Sequence, residues 1–208
     1  MKRGVMNGVI AWGCMLAVLV SCDSEEVSRT LAEKQSSNYL PLEVGNFWDF
    51  KATNGPTDAV VQHREVKGTA FVKGQKYYLV ISSGQSGQSW VDSVYYRVET
   101  NGDVYTYRRR TDSEELKYKL FAGDGDTWSY VIADDDKMDV MVHIKTVATG
   151  AATIEDCKAY YFDVEQWADE EETITLAPGV GFFREYSDAW GLGIVLTKAS
   201  IGGSVFEY

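Results

Sequence analysis

The chain carries one aromatic turn-and-strand signature twice, and this constrains its fold more than any other feature. Leu40-Pro-Leu-Glu-Val-Gly45-Asn46-Phe-Trp48-Asp-Phe50 matches Leu120-Phe-Ala-Gly-Asp-Gly125-Asp126-Thr-Trp128-Ser-Tyr130 in the form L-x4-G-[ND]-x-W-x-[FY], offset by 80 residues. A glycine followed by Asn or Asp makes a tight turn into a strand, and Trp and the aromatic two residues later then share one strand face. Two more pairs follow in the same order. Lys76-Tyr77-Tyr78-Leu79-Val80 echoes Ala159-Tyr160-Tyr161-Phe162, and Val94-Tyr95-Tyr96-Arg97 echoes Gly181-Phe182-Phe183-Arg184. The pattern predicts a duplicated β-meander with halves of about residues 40–119 and 120–208. The paired aromatics read as a core anchor in each half rather than a binding platform.

From Tyr39 onward short runs rich in Val, Tyr, Phe, Trp and Thr alternate with Gly, Asn and Asp punctuation. The chain holds only three prolines, and no segment keeps a 3.6-residue apolar period. Asn101-Gly102 reads as a two-residue hairpin loop between VYYRVET and DVYTYRR. Asn54-Gly55-Pro56, Lys73-Gly74-Gln75 and Gly202-Gly203 mark further turns. Ser82–Ser89 (SSGQSGQS) reads as a flexible loop without side chains to pack a strand face. The expected fold is all-β: an antiparallel meander of two related halves, forming a curved sheet or barrel-like sandwich over residues 39–208.

The N-terminus carries an address. Lys2 and Arg3 precede the apolar run Val9–Val20, which is too short to cross a hydrocarbon core of about 30 Å as a helix. The run ends in Leu19-Val20-Ser21-Cys22, which resembles a bacterial lipobox. That resemblance implies a signal peptide over 1–21, cleavage between Ser21 and Cys22, and a diacylglyceryl group on the Cys22 thiol. Residues 22–38 are polar and read as a flexible acidic tether. Asp23-Ser24-Glu25-Glu26 resembles the acidic sorting signal of surface lipoproteins in Bacteroidota, whereas a soluble linker is the plainer meaning. The location this implies is the bacterial envelope, lipid-anchored at the outer membrane, on its periplasmic or surface face.

Loss of Lys2 and Arg3 from the chain's 20 basic residues leaves 18 against 31 acidic ones, a net charge of −13. Such a surface repels phosphate backbones and anionic headgroups, so the expected partners include no nucleic acid. The membrane link is then the lipid itself. With Cys14 in the signal segment and Cys22 acylated, Cys157 is the one thiol left and reads as a small buried hydrophobe.

Tyr39-Leu-Pro-Leu-Glu-Val-Gly45-Asn46-Phe-Trp48-Asp-Phe50 resembles the opening Y-x-P-L-x-x-G-N-x-W-x-[FY] motif of a family of uncharacterised bacterial lipoproteins. Ala177-Pro178-Gly179-Val180-Gly181-Phe182-Phe183 resembles the A-P-G-V-G segment near the end of that family, with Phe182 where an aliphatic is usual. The resemblance implies a secreted β-rich lipoprotein and brings no active site.

The histidines, His63 and His143, also differ by 80 residues and are the weak candidates for a metal site. Strand parity instead places both on solvent faces, His143 with Asp139 and Lys145, and His63 with Glu65. Asp124-Gly125-Asp126 and Asp134-Asp135-Asp136 lack calcium-loop spacing and read as turn acids, and Glu170-Glu171-Glu172 as a hairpin loop. Arg108-Arg109-Arg110 is the one basic run. An anionic ligand is one reading; the simpler one is a strand end opposing Asp112, Glu114 and Glu115.

No nucleophile elbow, zinc-protease helix, phosphate loop or dinucleotide fingerprint occurs. The expectation is therefore a non-enzymatic binding or interaction module without a cofactor. A carrier of a lipid or other apolar ligand is the rival, and an envelope hydrolase using paired carboxylates ranks last.

Overall fold

A computed structural model describes residues 39–208 except 56–58, 87, 134–135, 150–151, 166 and 169. The lipobox, Ser21, Cys22, the tether and Asp134-Asp135 lie outside the described residues. Six strands make up the first half: β1 (Phe47–Ala52), β2 (Gln62–Val72), β3 (Gln75–Ser86), β4 (Gln88–Val98), β5 (Asp103–Arg108) and β6 (Ser113–Lys119). The second half contains β7 (Thr127–Ala133), β8 (Asp136–Thr149), β9 (Ala152–Asp163), β10 (Glu172–Ala177), β11 (Gly181–Ser187), β12 (Leu192–Ile201) and β13 (Ser204–Glu207).

All pair into one antiparallel sheet in the order β6-β5-β4-β3-β2-β1-β12-β11-β10-β9-β8-β7, with β13 attached to β12. Each half is thus a meander, and the pairing of β1 with β12 joins them, from Phe47↔Ser200 to Ala52↔Ile194. The sheet then curls until its two edge strands meet. Trp128 Nε1 of β7 donates to the Leu116 carbonyl of β6 at 2.9 Å, and the Tyr118 ring packs edge-on against Tyr160 at 4.9 Å. The result is a nearly closed barrel, which removes most of the edge liability of such a sheet.

Turn chemistry explains the tight hairpins. Lys73-Gly74 joins β2 to β3 as a two-residue loop with φ of 50° and 81°, and Gly202-Gly203 joins β12 to β13 with φ of 57° and 80°. Positive φ at both positions is the hairpin turn whose twist matches that of the strands. The Asn101-Gly102 expectation needs correction, because the loop has three residues. Gly102 N donates to the Glu99 carbonyl at 3.0 Å, and only Gly102 takes positive φ, at 82°. Asn101 stays at negative φ, and its Oδ1 instead accepts the Asp103 N–H at 3.0 Å.

Ser82–Ser89 is also not a loop: β3 and β4 run through it, with Ser82↔Asp92 and Gln85↔Ser89 in register. Backbone pairing needs no large side chains, and Trp90 supplies the missing surface. Its ring covers its cross-strand partner Gly84, where a Cβ would lie 2.8 Å from the indole.

The paired segments of the sequence occupy β1 with β7 and β3 with β9. Val94–Arg97 lies in β4, however, while Gly181–Arg184 lies in β11, one strand out of step. Tyr96 and Phe182 nonetheless point the same way and meet in the core, with ring centroids 5.9 Å apart.

The barrel is closed at one end by aromatic packing. Trp48, Phe50, Val66, Tyr160, Phe162, Leu176, Phe182 and Leu196 are at most 2% exposed, and Leu40 and Leu42 are tucked against them. Trp48 Nε1 donates to the Val180 carbonyl at 2.6 Å, and its ring meets Phe182 edge-on at 5.2 Å. The turn motif has a clear task here. Buried Asn46 donates to the Pro41 carbonyl at 2.8 Å and accepts from Gly202 N at 2.9 Å. Gly181, at φ 93°, lies so near Pro41 and Trp48 that a Cβ would sit 3.0–3.1 Å from them. The opening and closing motifs of the domain therefore pack on each other.

Candidate functional site

Toward the other end the same strands turn charged residues inward. Along β2, Val66 is followed outward by Arg64; along β10, Leu176 and Ile174 lead to Glu172; on β11 a bulge separates Phe182 from Glu185. Inward register continues across the sheet: Arg64↔Ser82, Ser82↔Asp92, Tyr96↔Thr106 and Thr106↔Glu115. Side chains of this class do not fill the space between the walls. A cavity of about 540 Å³ remains, lined by Arg64, Asp92, Tyr96, Thr106, Arg108, Glu115, Lys117, Tyr118, Glu172 and Glu185, with Arg109 and Arg110 at the β5–β6 turn. A second space of about 530 Å³, lined by Ala52, Val61, Trp90, Tyr186, Leu192 and Ile194, shares Glu172 and Glu185 with the first. Both volumes fall within the range of small-molecule sites.

Two of the cations are paired. Arg64 Nη1 lies 2.5 Å from Glu185 Oε1 and its Nε donates to Ser82 Oγ at 3.2 Å, while its guanidinium stacks on Phe182 at 4.4 Å. Arg108 Nε lies 2.7 Å from Oε1 of the buried Glu115. The β5–β6 strand end thus opposes its arginine to an acid, as the simpler reading expects, yet all three arginines also line the cavity. Arg109 stacks on Tyr95 at 4.7 Å.

Lys117 and Glu172 differ from these. Neither side chain makes a hydrogen bond or ion pair with a described residue; Lys117 Nζ rests on the Phe162 ring at 3.9 Å. Burial pushes the Lys117 ammonium down from its ordinary pKa, against the pull of Glu172, Glu115 and Glu185. Burial likewise pushes the Glu172 carboxyl up, opposed by Lys117 and assisted by Glu185. Tyr96 is pushed up to about 12 by burial, so it stays a hydroxyl donor. Among the described residues no acceptor takes the Tyr96 or Tyr118 hydroxyl.

The histidines do not converge. His63 on β2 and His143 on β8 are separated in the sheet by β1, β12, β11, β10 and β9. His63 Nδ1 lies 2.6 Å from its cross-strand neighbour Asp49, and His143 Nδ1 lies 3.7 Å from Asp124. Among the described residues no group of three His, Cys, Asp or Glu side chains could hold a metal ion. Asp126 has a turn role, its Oδ2 accepting from Gly123 N at 2.8 Å. Cys157 is fully buried, its thiol pushed up to about 11 by burial.

The Glu170–Glu172 run is not wholly a loop. Glu172 opens β10, with Phe162 and Ser187 as ladder neighbours. The sequence pattern alone did not mark Arg64, Lys117 or Glu185, and it marked Glu172 only as the end of an acidic loop. A usable signal existed for two of them: Arg64 has the parity of Val66, and Glu172 that of Ile174 and Leu176, so each is a charge in an inward position.

The fold and cavity together define a class: an all-β, nearly closed antiparallel barrel, packed solid at one end and holding a charged cavity toward the other. No protein-family model matches the chain, and no curated protein resembles it significantly. Two solved structures resemble it loosely. One is described as an exported protein with a YmcC-like fold from Bacteroides fragilis, at 13% identity and a TM-score of 0.43, covering 81% of this chain and 99% of the other. The second, described as a lipoprotein from Parabacteroides distasonis, gives 12% identity and a TM-score of 0.41 with the same coverage. Neither likeness bears on function.

Proposed function

We propose that this chain is an envelope-anchored bacterial lipoprotein, held by a lipid on Cys22, that acts as a non-enzymatic binding module through the charged cavity of its barrel. The observation that carries the binding role is the pair Lys117 and Glu172. A chain selected only for stability would place apolar residues at such positions, because a half-buried charge without a hydrogen-bonded partner is costly. Tolerated polar groups inside a barrel are instead a means of orienting a ligand. The carrier reading survives in altered form, since the inner chamber is polar and suits no wholly apolar ligand. A hydrolase mechanism has weaker support: Glu172 is raised in pKa, but Glu115 and Glu185 are engaged by arginines.

Native mass spectrometry on protein gently extracted from its envelope tests the binding role. A reproducible extra mass that survives buffer exchange, and is lost in Lys117→Met, is the expected result. A bare chain in every preparation counts against the cavity as a site. The anchor is tested separately: Cys22→Ala is expected to move the protein from the membrane to the soluble fraction. Unchanged membrane association would overturn the lipid anchor.

A further inference from the structure

We propose that the cavity takes an amphipathic anion, its carboxylate or phosphate end at Lys117 and its apolar body against Trp90, Leu192 and Ile194. This rests on the binding-module reading and adds the ligand class.

Charge is the first argument. The chain as a whole has 31 acidic and 20 basic residues, yet the inner chamber reverses the balance, with five cations (Arg64, Arg108, Arg109, Arg110, Lys117) and four acids (Asp92, Glu115, Glu172, Glu185). Pairing leaves the excess where a ligand would meet it. Glu185 is taken by Arg64 at 2.5 Å, and Arg108 Nε stands 2.7 Å from Glu115 Oε1, an ion-pair contact without hydrogen-bond geometry. Asp92 accepts from the Ser93 N–H at 2.7 Å. The Lys117 ammonium makes no such contact; it rests on the face of Phe162, and Glu172, Glu115 and Glu185 act on it only through space.

Hydrogen-bond polarity is the second. Lys117 is donor-only, and the Tyr96 and Tyr118 hydroxyls on the same wall have no acceptor among the described residues. A wall of donors is complementary to an anionic oxygen cluster.

The third argument is the second space, which has Glu172 and Glu185 in common with the first. Trp90 and Leu192 on its wall are exposed at 37% and 62%, and Val61 and Ile194 continue the apolar surface inward toward Glu172 and Glu185. A fully polar ligand would leave this surface in water, whereas an alkyl or aryl body covers it. Polar head and apolar body thus each meet a matching wall, on the two sides of Glu172 and Glu185.

The test titrates the purified protein with octanoate, octan-1-ol and octylammonium, followed by saturation-transfer NMR and calorimetry. Octanoate is expected to bind at least tenfold tighter than the other two. Lys117→Met should weaken octanoate at least tenfold and leave octan-1-ol unchanged, Lys117→Arg should restore it, and Trp90→Ala should weaken both. Octyl phosphate in place of octanoate then shows which anionic group is preferred, and tight binding of either supports the inference. Octan-1-ol or octylammonium binding as tightly as octanoate would overturn the anionic class while leaving a binding cavity. Absence of binding by all of these ligands would overturn both.

Discussion

At one end of the barrel the inward positions of β1, β2, β10 and β11 are Trp48, Val66, Leu176 and Phe182; nearer the other end, β2, β10 and β11 offer Arg64, Glu172 and Glu185. The same strands run through both, with bulges in the β10–β11 and β1–β12 ladders between them, so the main difference is in the side chains. The closed end resembles any dry protein core: rings at edge-on distances, one indole N–H matched to one carbonyl, and a glycine where two segments cross. The open end keeps charges that contribute little to stability or oppose it. One region makes the sheet fold; in the proposed function the other uses the folded sheet as a binding wall, the usual separation of scaffold from site.

The largest expected effect is therefore at the closed end. Trp48→Ala removes a fully buried ring and leaves the Val180 carbonyl without its donor. A loss of about 3–5 kcal/mol is expected in urea unfolding. A loss under about 1 kcal/mol would mean that the closed end is not the structural core, and the contrast between the ends would fail.

Next comes the buried ion pair that borders both regions. Glu185→Leu strands the Arg64 guanidinium between Phe50 and Phe182 and is expected to cost about 3 kcal/mol. Arg64→Met combined with Glu185→Leu should recover most of that loss, because no uncompensated charge then remains. Failure of the double variant to recover would mean that the pair holds the fold itself, and would move Arg64 and Glu185 from the site into the scaffold.

These two regions were not equally legible in the sequence. The first aromatic anchor announces itself, Trp48 and Phe50 after the Gly-Asn turn being fully buried, whereas Trp128 and Tyr130 after the Gly-Asp turn lie on the edge strand β7 and are only partly buried against the core. Strand parity also placed His63 and His143 outside. The cavity was harder. Glu172 sits at the end of an acidic run that looks like a solvated loop, and only its phase with Ile174 and Leu176 marks it as inward. Lys117 was hidden by a bulge: Val104 pairs with Tyr118 and Tyr105 with Leu116, leaving Lys117 unpaired and breaking the alternation a reader would count. Gly84 shows the opposite failure, where a Ser- and Gly-rich stretch is a strand because Trp90 covers it. Bulges and cross-strand covering are long-range facts, and no local window contains them.

The smallest effect is also the most direct test of the contrast, because its sign differs from that of an ordinary core change. Burial raises the Glu172 carboxyl above its ordinary pKa in the folded state. A raised group contributes stability that is fully present below its unfolded pKa, about 4.3 for glutamate, and is lost as pH rises through the folded value. Glu172→Gln keeps the shape without that loss. The variant should match the parent near about pH 4 and exceed it by about 0.5–1 kcal/mol at neutral pH, a range common for single changes outside the core. The measurement is urea unfolding of both proteins across that window. A gap of constant size would show that the carboxyl is not strained by burial, and a gap that closes as pH rises would show that Lys117 already neutralises Glu172. In the second case the ammonium would have no charge to spare for a ligand, and the open end would be a second, polar core rather than a site.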